Sequence, residues 1–214
     1  MATFNDLYNF VMSDIRGVEP ELIDFHIRNT VRDWLGATTQ WRELLTLVTT
    51  PGMTSYALTP RAGGQVAGIL RFGDVESSFD LPCADEGHRR LIQVTTPAKP
   101  CAWRQVYPGV IEFQGVPDAA YTFQLEVYKR LTLDPTDDMI PDDVFDTHAE
   151  DLSYGVKARL QAMTAKPWTD PTMATVNNTL YTKAKFATRA RVRSGGQLGN
   201  SRVSAPSFTA RRPR

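Results

Sequence analysis

The hydrophobic positions change their period twice along the chain. In residues 20–39, Ile23, Ile27, Val31, Trp34 and Leu35 recur at intervals of four, four, three and one, which sets them on one face of an amphipathic helix. Pro20 suits the first turn of that helix, and Glu21, Asp24, Arg28 and Arg32 fall largely off the apolar face. A shorter helix is predicted before it, because Phe4, Leu7, Tyr8 and Val11 keep helical spacing up to a break at Gly17.

From Trp41 to about Leu133 the pattern becomes short β-prone runs punctuated by Gly and Pro. The run LLTLVTT, then PGM, then TSYAL reads as strand, turn, strand, since a Pro-Gly pair supplies turn geometry. VAGILRF, RRLIQVTT, VIEFQG and YTFQLEVYKRLTL are further candidate strands. In the last of them Tyr121, Phe123, Leu125 and Val127 alternate with Thr122, Gln124, Glu126 and Tyr128, so one face is predicted to be buried.

At Pro141 the helical period returns. Phe145, Ala149, Leu152, Val156, Leu160 and Met163 form one stripe, with Asp142 or Asp143 as the expected cap. After the connector KPW, Asp170 precedes Pro171 as a cap before a first-turn proline, and Met173, Val176, Leu180, Ala184 and Ala187 form a second stripe. Two long helices joined by a short turn are expected to pair as an antiparallel hairpin. The stretch from Ser194 onward is rich in Gly, Ser and Arg without periodicity and is expected to be unfolded on its own. The expected fold is therefore α+β: a small α-helical bundle with an inserted antiparallel β block and an extended C-terminal tail. Residues 1–40 supply the N-terminal helices, 41–133 the β insertion projecting from one end, 134–193 the helical hairpin and 194–214 the basic tail.

Composition adds bounds. With 214 residues, 42% hydrophobic and 22% charged, the chain can build an ordinary packed core. Its 24 basic and 24 acidic residues cancel, which argues against a dedicated DNA-coating protein. No apolar run reaches the roughly 20 residues needed to cross a bilayer, and MATFNDLYNF lacks the basic start and apolar stretch of a signal peptide, so synthesis in the cytoplasm and no membrane contact are expected. Cys83 and Cys101 lack CxxC spacing and read as two reduced thiols.

Motifs for chemistry are missing. His26, His88 and His148 sit in three different elements, none paired at metal-ligand spacing, and there is no GxSxG, GxxxxGK or HExxH. DPTDDMIPDD lacks the alternating ligands, central Gly and closing Glu of a calcium loop. No catalytic residue, cofactor or metal site is expected, and the chain reads as a non-enzyme. The distinctive feature is charge segregation. Asp134, Asp137, Asp138, Asp142, Asp143, Asp146, Glu150 and Asp151 fall in a stretch with no Lys or Arg, whereas Lys183, Lys185, Arg189, Arg191, Arg193, Arg202, Arg211, Arg212 and Arg214 fall in one with no acid. A solvated helix face followed by a soluble tail explains this blandly. The sharper reading gives each subunit an acidic end (Asp137, Asp138, Asp142, Asp143) and a basic end (Lys183, Lys185, Arg189, Arg191, Arg193), suited to head-to-tail contacts within a ring.

The run PELIDFHIRNTVRDWLGATTQWRELL, the β block, and then IPDDVFDTHAEDLSYGVKARLQAMTAKPWTDPTMATVNNTLYTKAKFATRARVR together resemble the head-to-tail adaptor, or head-completion, proteins of tailed phages. The matching features are the turn from Leu133 to Pro141, the segments from Lys157 to Met163 and from Lys166 to Pro171, and the Ala- and Arg-rich helix end from Ala184 to Arg193. The resemblance covers residues 18–193, the β block in type only, and Asp137 and Asp138 make the turn more acidic than the group's pattern. It implies a homo-oligomeric ring, commonly of twelve copies, in the neck of the virion. The portal protein would lie above, a tail or nozzle protein below, and DNA would pass through the lumen without sequence-specific binding. It also implies that the C-terminal segment embraces the portal. In that segment Val203, Pro206 and Phe208 are the apolar anchors, and Arg202, Arg211, Arg212 and Arg214 can pair with carboxylates. A nucleic-acid-binding regulator is the alternative, although no recognition helix stands out. A virion-associated hydrolase is a more distant one.

Overall fold

The computed structural model describes residues 2–61, 63–75, 80–83, 97–134 and 138–195. The chain runs β1 (Ala2–Thr3), α1 (Phe4–Met12), α2 (Pro20–Thr38), β2 (Arg42–Val48), β3 (Ser55–Ala57), β4 (Gln65–Asp74), β5 (Ala102–Tyr107), β6 (Val110–Gln114), β7 (Thr122–Arg130), β8 (Met139–Ile140), α3 (Asp142–Gln161) and α4 (Pro171–Arg193). The α+β reading holds: among the described residues a bundle of four helices carries two three-stranded antiparallel sheets between its second and third members.

Local chemistry explains where the helices begin. The Asp6 carboxylate accepts hydrogen bonds from the backbone N–H (2.7 Å) and hydroxyl (2.9 Å) of Thr3, closing the first turn of α1. Pro20 opens α2, and the helix stops at Thr39, which takes a left-handed conformation (φ 54°) while its N–H bonds to the Leu35 carbonyl. Asp170 caps α4 as expected, accepting from Thr172 N (3.1 Å) and Met173 N (3.0 Å). At α3 the expectation fails in detail. Pro141 occupies the cap position, and Asp142 and Asp143 lie inside the first turn, where their charges still favour the positive end of the helix dipole.

One apolar cluster unites the helices. Leu7, Val11, Ile23, Ile27, Val31, Trp34, Leu35, Leu152, Val156 and Leu160 bury essentially their whole surface, joined by Leu131 and Ile140 from the returning strands. In α3 the second half of the expected stripe is inward, but a kink at His148 (φ −134°, ψ 17°) turns the first half. Val144 and His148 therefore take the buried positions, and Phe145, Ala149 and Met163 pack partly exposed against the cluster.

The β block holds a second cluster. Sheet β2-β7-β4 faces sheet β3-β6-β5, and Leu45, Val66, Phe72, Trp103, Ile111, Phe113, Phe123, Leu125 and Val127 fill the space between them. Phe72 stacks on Trp103 at 5.2 Å and meets Phe113 edge-on at 5.6 Å, so aromatic packing ties the two sheets. In β7 Phe123, Leu125 and Val127 are inward as their alternation predicts. β2 and β3 are not a hairpin: the Pro51–Gly52 turn is a corner between sheets, with Gly52 N bonded to Pro117 O and the Tyr56 hydroxyl gathering Thr50 and Met53. The strand β5 was not expected, and RRLIQVTT, residues 89–96, lies outside the described residues.

Two small devices join the parts. β1 pairs with β8, and Phe4 N bonds to Asp138 O, which ties the N-terminus to the turn before α3. Lys129, next on the buried face of β7, is itself buried, pairs with Glu43 at 2.8 Å and lies 4.2 Å from the Trp41 ring centroid.

Candidate functional site

The helical hairpin concentrates the residues singled out by sequence. Three pairings show that α3 and α4 run antiparallel: Gln161 Oε1 accepts from Asn177 Nδ2 at 2.8 Å, Gly155 lies against Tyr181, and His148 reaches Thr188 and Arg191. The close approach at the middle depends on Gly155, since a Cβ there would stand 2.5 Å from Thr30 Cγ2 and 2.7 Å from Tyr181 Cδ2.

The face that α4 buries differs from the expected one. Ala174, Asn177, Tyr181 and Thr188 point inward and, of the expected stripe, Ala184 packs partly buried against the core, whereas Met173, Val176, Leu180 and Phe186 are 43%, 45%, 41% and 58% exposed, and Ala187 is exposed with them. The physical reason is that the polar residues find partners inside. The Tyr181 hydroxyl bonds the Thr30 carbonyl (3.1 Å) and donates to Asp33 (2.8 Å), and Lys185 reaches the same carboxylate at 2.8 Å. Burial, then the neighbouring Asp33 charge, pushes the Tyr181 hydroxyl well above its ordinary range. Burial works against the Asp33 charge, but its bonds from Lys185 and Tyr181 outweigh that and hold its carboxyl below the usual value. With its hydrogen bonds satisfied, a polar seam can displace an apolar one from the interior.

His148 forms the other internal node. Its ring lies 4.8 Å from that of Trp34, its Nδ1 is 2.8 Å from Asp151 Oδ2, and its Nε2 is 3.1 Å from Arg191 Nη2. A guanidinium only donates, so Nε2 accepts and the ring proton sits on Nδ1, facing Asp151.

The two charge blocks are neighbours. Antiparallel pairing sets the acidic start of α3 beside the basic end of α4, so both lie at one end of the hairpin and not at opposite ends of the molecule. Asp138, Asp142 and Asp143 are exposed there, and Asp137 is outside the described residues. Of the bases, Lys185 and Arg191 are engaged internally, Lys183 and Arg193 are exposed, and Arg189 is partly exposed. The tail residues Arg202, Val203, Pro206, Phe208, Arg211, Arg212 and Arg214 also lie outside the described residues, as does His88.

Two unlike flanks result. α1 and α4 each pack against α2 and α3 but through different residues: the α1 end of the bundle meets them at Asp24, Phe145 and Lys157, whereas α4 meets them at Asp33 and Gln161. The outer side of α4 carries the exposed Met173, Val176, Leu180 and Phe186, and the helix contains five bases and no acid. The α1 side shows exposed Phe10 and Met12 beside Asp6, Asp14, Asp146 and Glu150, with Arg16 as the accompanying base. Phe10 meets Phe145 edge-on at 6.3 Å, and Asp14 pairs with the buried Lys157, which fixes these groups on the α3 surface.

Among the described residues, no group of three or more His, Cys, Asp or Glu side chains is arranged to hold a metal ion, and no helix is long and apolar enough to cross a membrane. Cys83 and Cys101 are exposed and form no disulfide. No protein-family model matches the chain, and no curated protein matches it in sequence.

Proposed function

We propose that the chain is a structural subunit of a closed ring, the head-to-tail adaptor in the neck of a tailed bacteriophage. The observation that carries this reading is the pair of unlike flanks. A ring made of one kind of chain needs two different, complementary surfaces on each copy, because every subunit offers one side to the copy before it and the other to the copy after it. An apolar and basic α4 meeting an apolar and acidic α1–α3 side supplies both buried area and a charge pattern that fixes orientation. Lys183, Arg189 and Arg193 of one copy would then approach Asp143, Asp146 and Glu150 of the next.

The remaining parts of the proposal rest on the resemblance to phage adaptors: about twelve copies, the portal above, a tail or nozzle protein below, and DNA in the lumen held without sequence reading. Arg202, Val203, Pro206, Phe208, Arg211, Arg212 and Arg214 would engage the portal. In this role the chain needs no catalytic group, cofactor or metal. The test is native mass spectrometry of the full chain with and without portal rings. Wild type should assemble, and the double substitution Leu180→Glu with Phe186→Glu should leave a monomer with unchanged circular dichroism. A wild-type chain that stays monomeric on portal, or a double variant that assembles like wild type, refutes the reading.

A further inference from the structure

Where the helical bundle meets the β block, an open cleft of about 560 Å³ gathers three arginines from three different elements: Arg32 of α2, Arg130 at the end of β7 and Arg159 of α3. Asn29 and Tyr128 line the same cleft, and so does Asp33. Asp33 brings one negative charge, which Arg159 feels, but that single charge is shared with Lys185, which pairs with its carboxylate at 2.8 Å, so three arginines and one lysine face one acid. Among the described residues none of the three arginines makes an ion pair with a carboxylate, and Arg32 Nη1 and Arg130 Nε are buried without a hydrogen-bond partner.

From this geometry we infer that the cleft is a binding site for a phosphate group, as inorganic phosphate or a phosphate monoester. The inference goes beyond the ring assignment and does not depend on it. Guanidinium donors buried without acceptors are expensive, and like charges collected around one cavity add to that cost, so an anion in the cleft relieves the repulsion directly and offers the arginines an acceptor. The strain is visible on Arg32, whose charged form is disfavoured first by burial and then by the neighbouring Arg130. The field extends to His26, whose imidazole is held towards the neutral form by burial and then by Arg159.

The number of the donors and the elements that carry them favour one class of anion. A carboxylate brings one charge and two oxygens in a plane, which suits one planar guanidinium fork. Three forks arriving from a helix, a strand end and a second helix suit a tetrahedral group with a charge near two and oxygens on several sides. Tyr128 and Asn29 add neutral donors of the kind that complete a phosphate shell. Asn29, Arg32, Asp33 and Gly36 recur at three, one and three along α2, so a single helix face supplies one wall of the cleft.

The test is isothermal titration of the full chain with sodium phosphate, at pH 7.5 and constant ionic strength adjusted with sodium chloride, followed by thermal denaturation under the same conditions. Wild type should bind phosphate saturably and gain thermal stability, whereas equal ionic strength of chloride should give no such gain. Arg130→Gln and Arg159→Gln should each weaken phosphate binding by about tenfold or more. Arg159 is exposed, so its replacement should leave the circular dichroism unchanged even if Arg130→Gln folds poorly. Arg189→Gln on the outer hairpin should bind as wild type. The inference is overturned if wild type shows no saturable binding, if Arg159→Gln binds phosphate undiminished, or if acetate binds as tightly as phosphate.

Discussion

Replacing Gly155 and Gly36 by alanine, one at a time, isolates the packing at the centre of the bundle. Both glycines are inside helices, and in an exposed helix interior the change to alanine stabilises by about 0.8–1.0 kcal/mol. At Gly36 nothing lies within 4 Å of the new Cβ, so that gain should be realised. At Gly155 the new carbon meets Thr30 Cγ2 at 2.5 Å and the Tyr181 ring at 2.7 Å, roughly 1 Å inside ordinary carbon contact. Neither neighbour can give way cheaply. Thr30 is fully buried and β-branched, and the Tyr181 ring is pinned through its hydroxyl to Thr30 O and Asp33. Overpacking of this kind costs about 1–3 kcal/mol, and breaking the Tyr181 bonds to relieve it leaves buried acceptors at about 1–3 kcal/mol more. Set against the helix gain, Gly155→Ala should lose about 2 kcal/mol or more, a fall of roughly 4–8 °C in melting temperature at about 2–4 °C per kcal/mol. Thermal and urea denaturation followed by circular dichroism measure both variants. If Gly155→Ala is stabilised as Gly36→Ala is, the close approach of α2, α3 and α4 is wrong.

Two further outcomes follow from the same seam. Leu160→Asp buries an unpaired charge and should unfold the bundle, since charge burial of this type costs several kcal/mol, whereas Leu180→Asp on the outer side of α4 should shift the melting temperature by less than about 2 °C. Equal damage from both would return Leu180 to the interior. The second concerns acid. Because the folded-state pKa of Asp33 lies below its ordinary 3.8, its stabilising contribution is fully present above that value and is lost as pH falls through it towards the folded pKa. Asp33→Asn should therefore flatten the stability profile below about pH 4, and an acid limb identical to wild type would remove Asp33 from that role.

The sequence carries the element types well and their faces unevenly. α2 and β7 are legible because their apolar residues are also their buried residues: Ile23, Ile27, Val31 and Trp34 in one, Phe123, Leu125 and Val127 in the other. α4 is not legible in this way. A count of apolar residues favours Met173, Val176 and Leu180, but Asn177, Tyr181 and Thr188 win the inward positions because Gln161, Thr30, Asp33 and His148 wait there with matching hydrogen bonds. Those partners are 16, 151, 148 and 40 residues away in the chain, so no local pattern reports them. The one available signal was Tyr181 itself, a large residue with a polar handle between two small-residue turns. The arginine cleft was invisible for the same reason: Arg32, Arg130 and Arg159 each look like a solvated residue of its own element, and only the junction between bundle and sheets assembles them. β5 escaped because Ala102–Tyr107 mixes Trp103 and Val106 with Arg104 and Gln105, and its inward residue is declared by the facing sheet.

The polar seam also bears on why the hairpin is built as it is. Burying Met173, Val176, Leu180 and Phe186 would contribute about 1.5–3 kcal/mol for each side chain, which a subunit acting alone would profit from. The structure gives those inward positions to polar groups whose hydrogen bonds specify one rotation of α4 and exclude the next, since any turn of the helix would strand Asn177, Tyr181 and Thr188 without partners. The apolar stripe is thereby held outward at a fixed angle, next to bases that no acid on the same helix neutralises. On the ring reading this division has a purpose. Hydrogen bonds fix the orientation of the helix within the subunit, and the hydrophobic area withheld from the subunit's own core becomes the adhesive of the contact with its neighbour. A free subunit is then folded but incomplete in burial, and its association should strengthen with salts that favour apolar burial while weakening where charge pairing is screened.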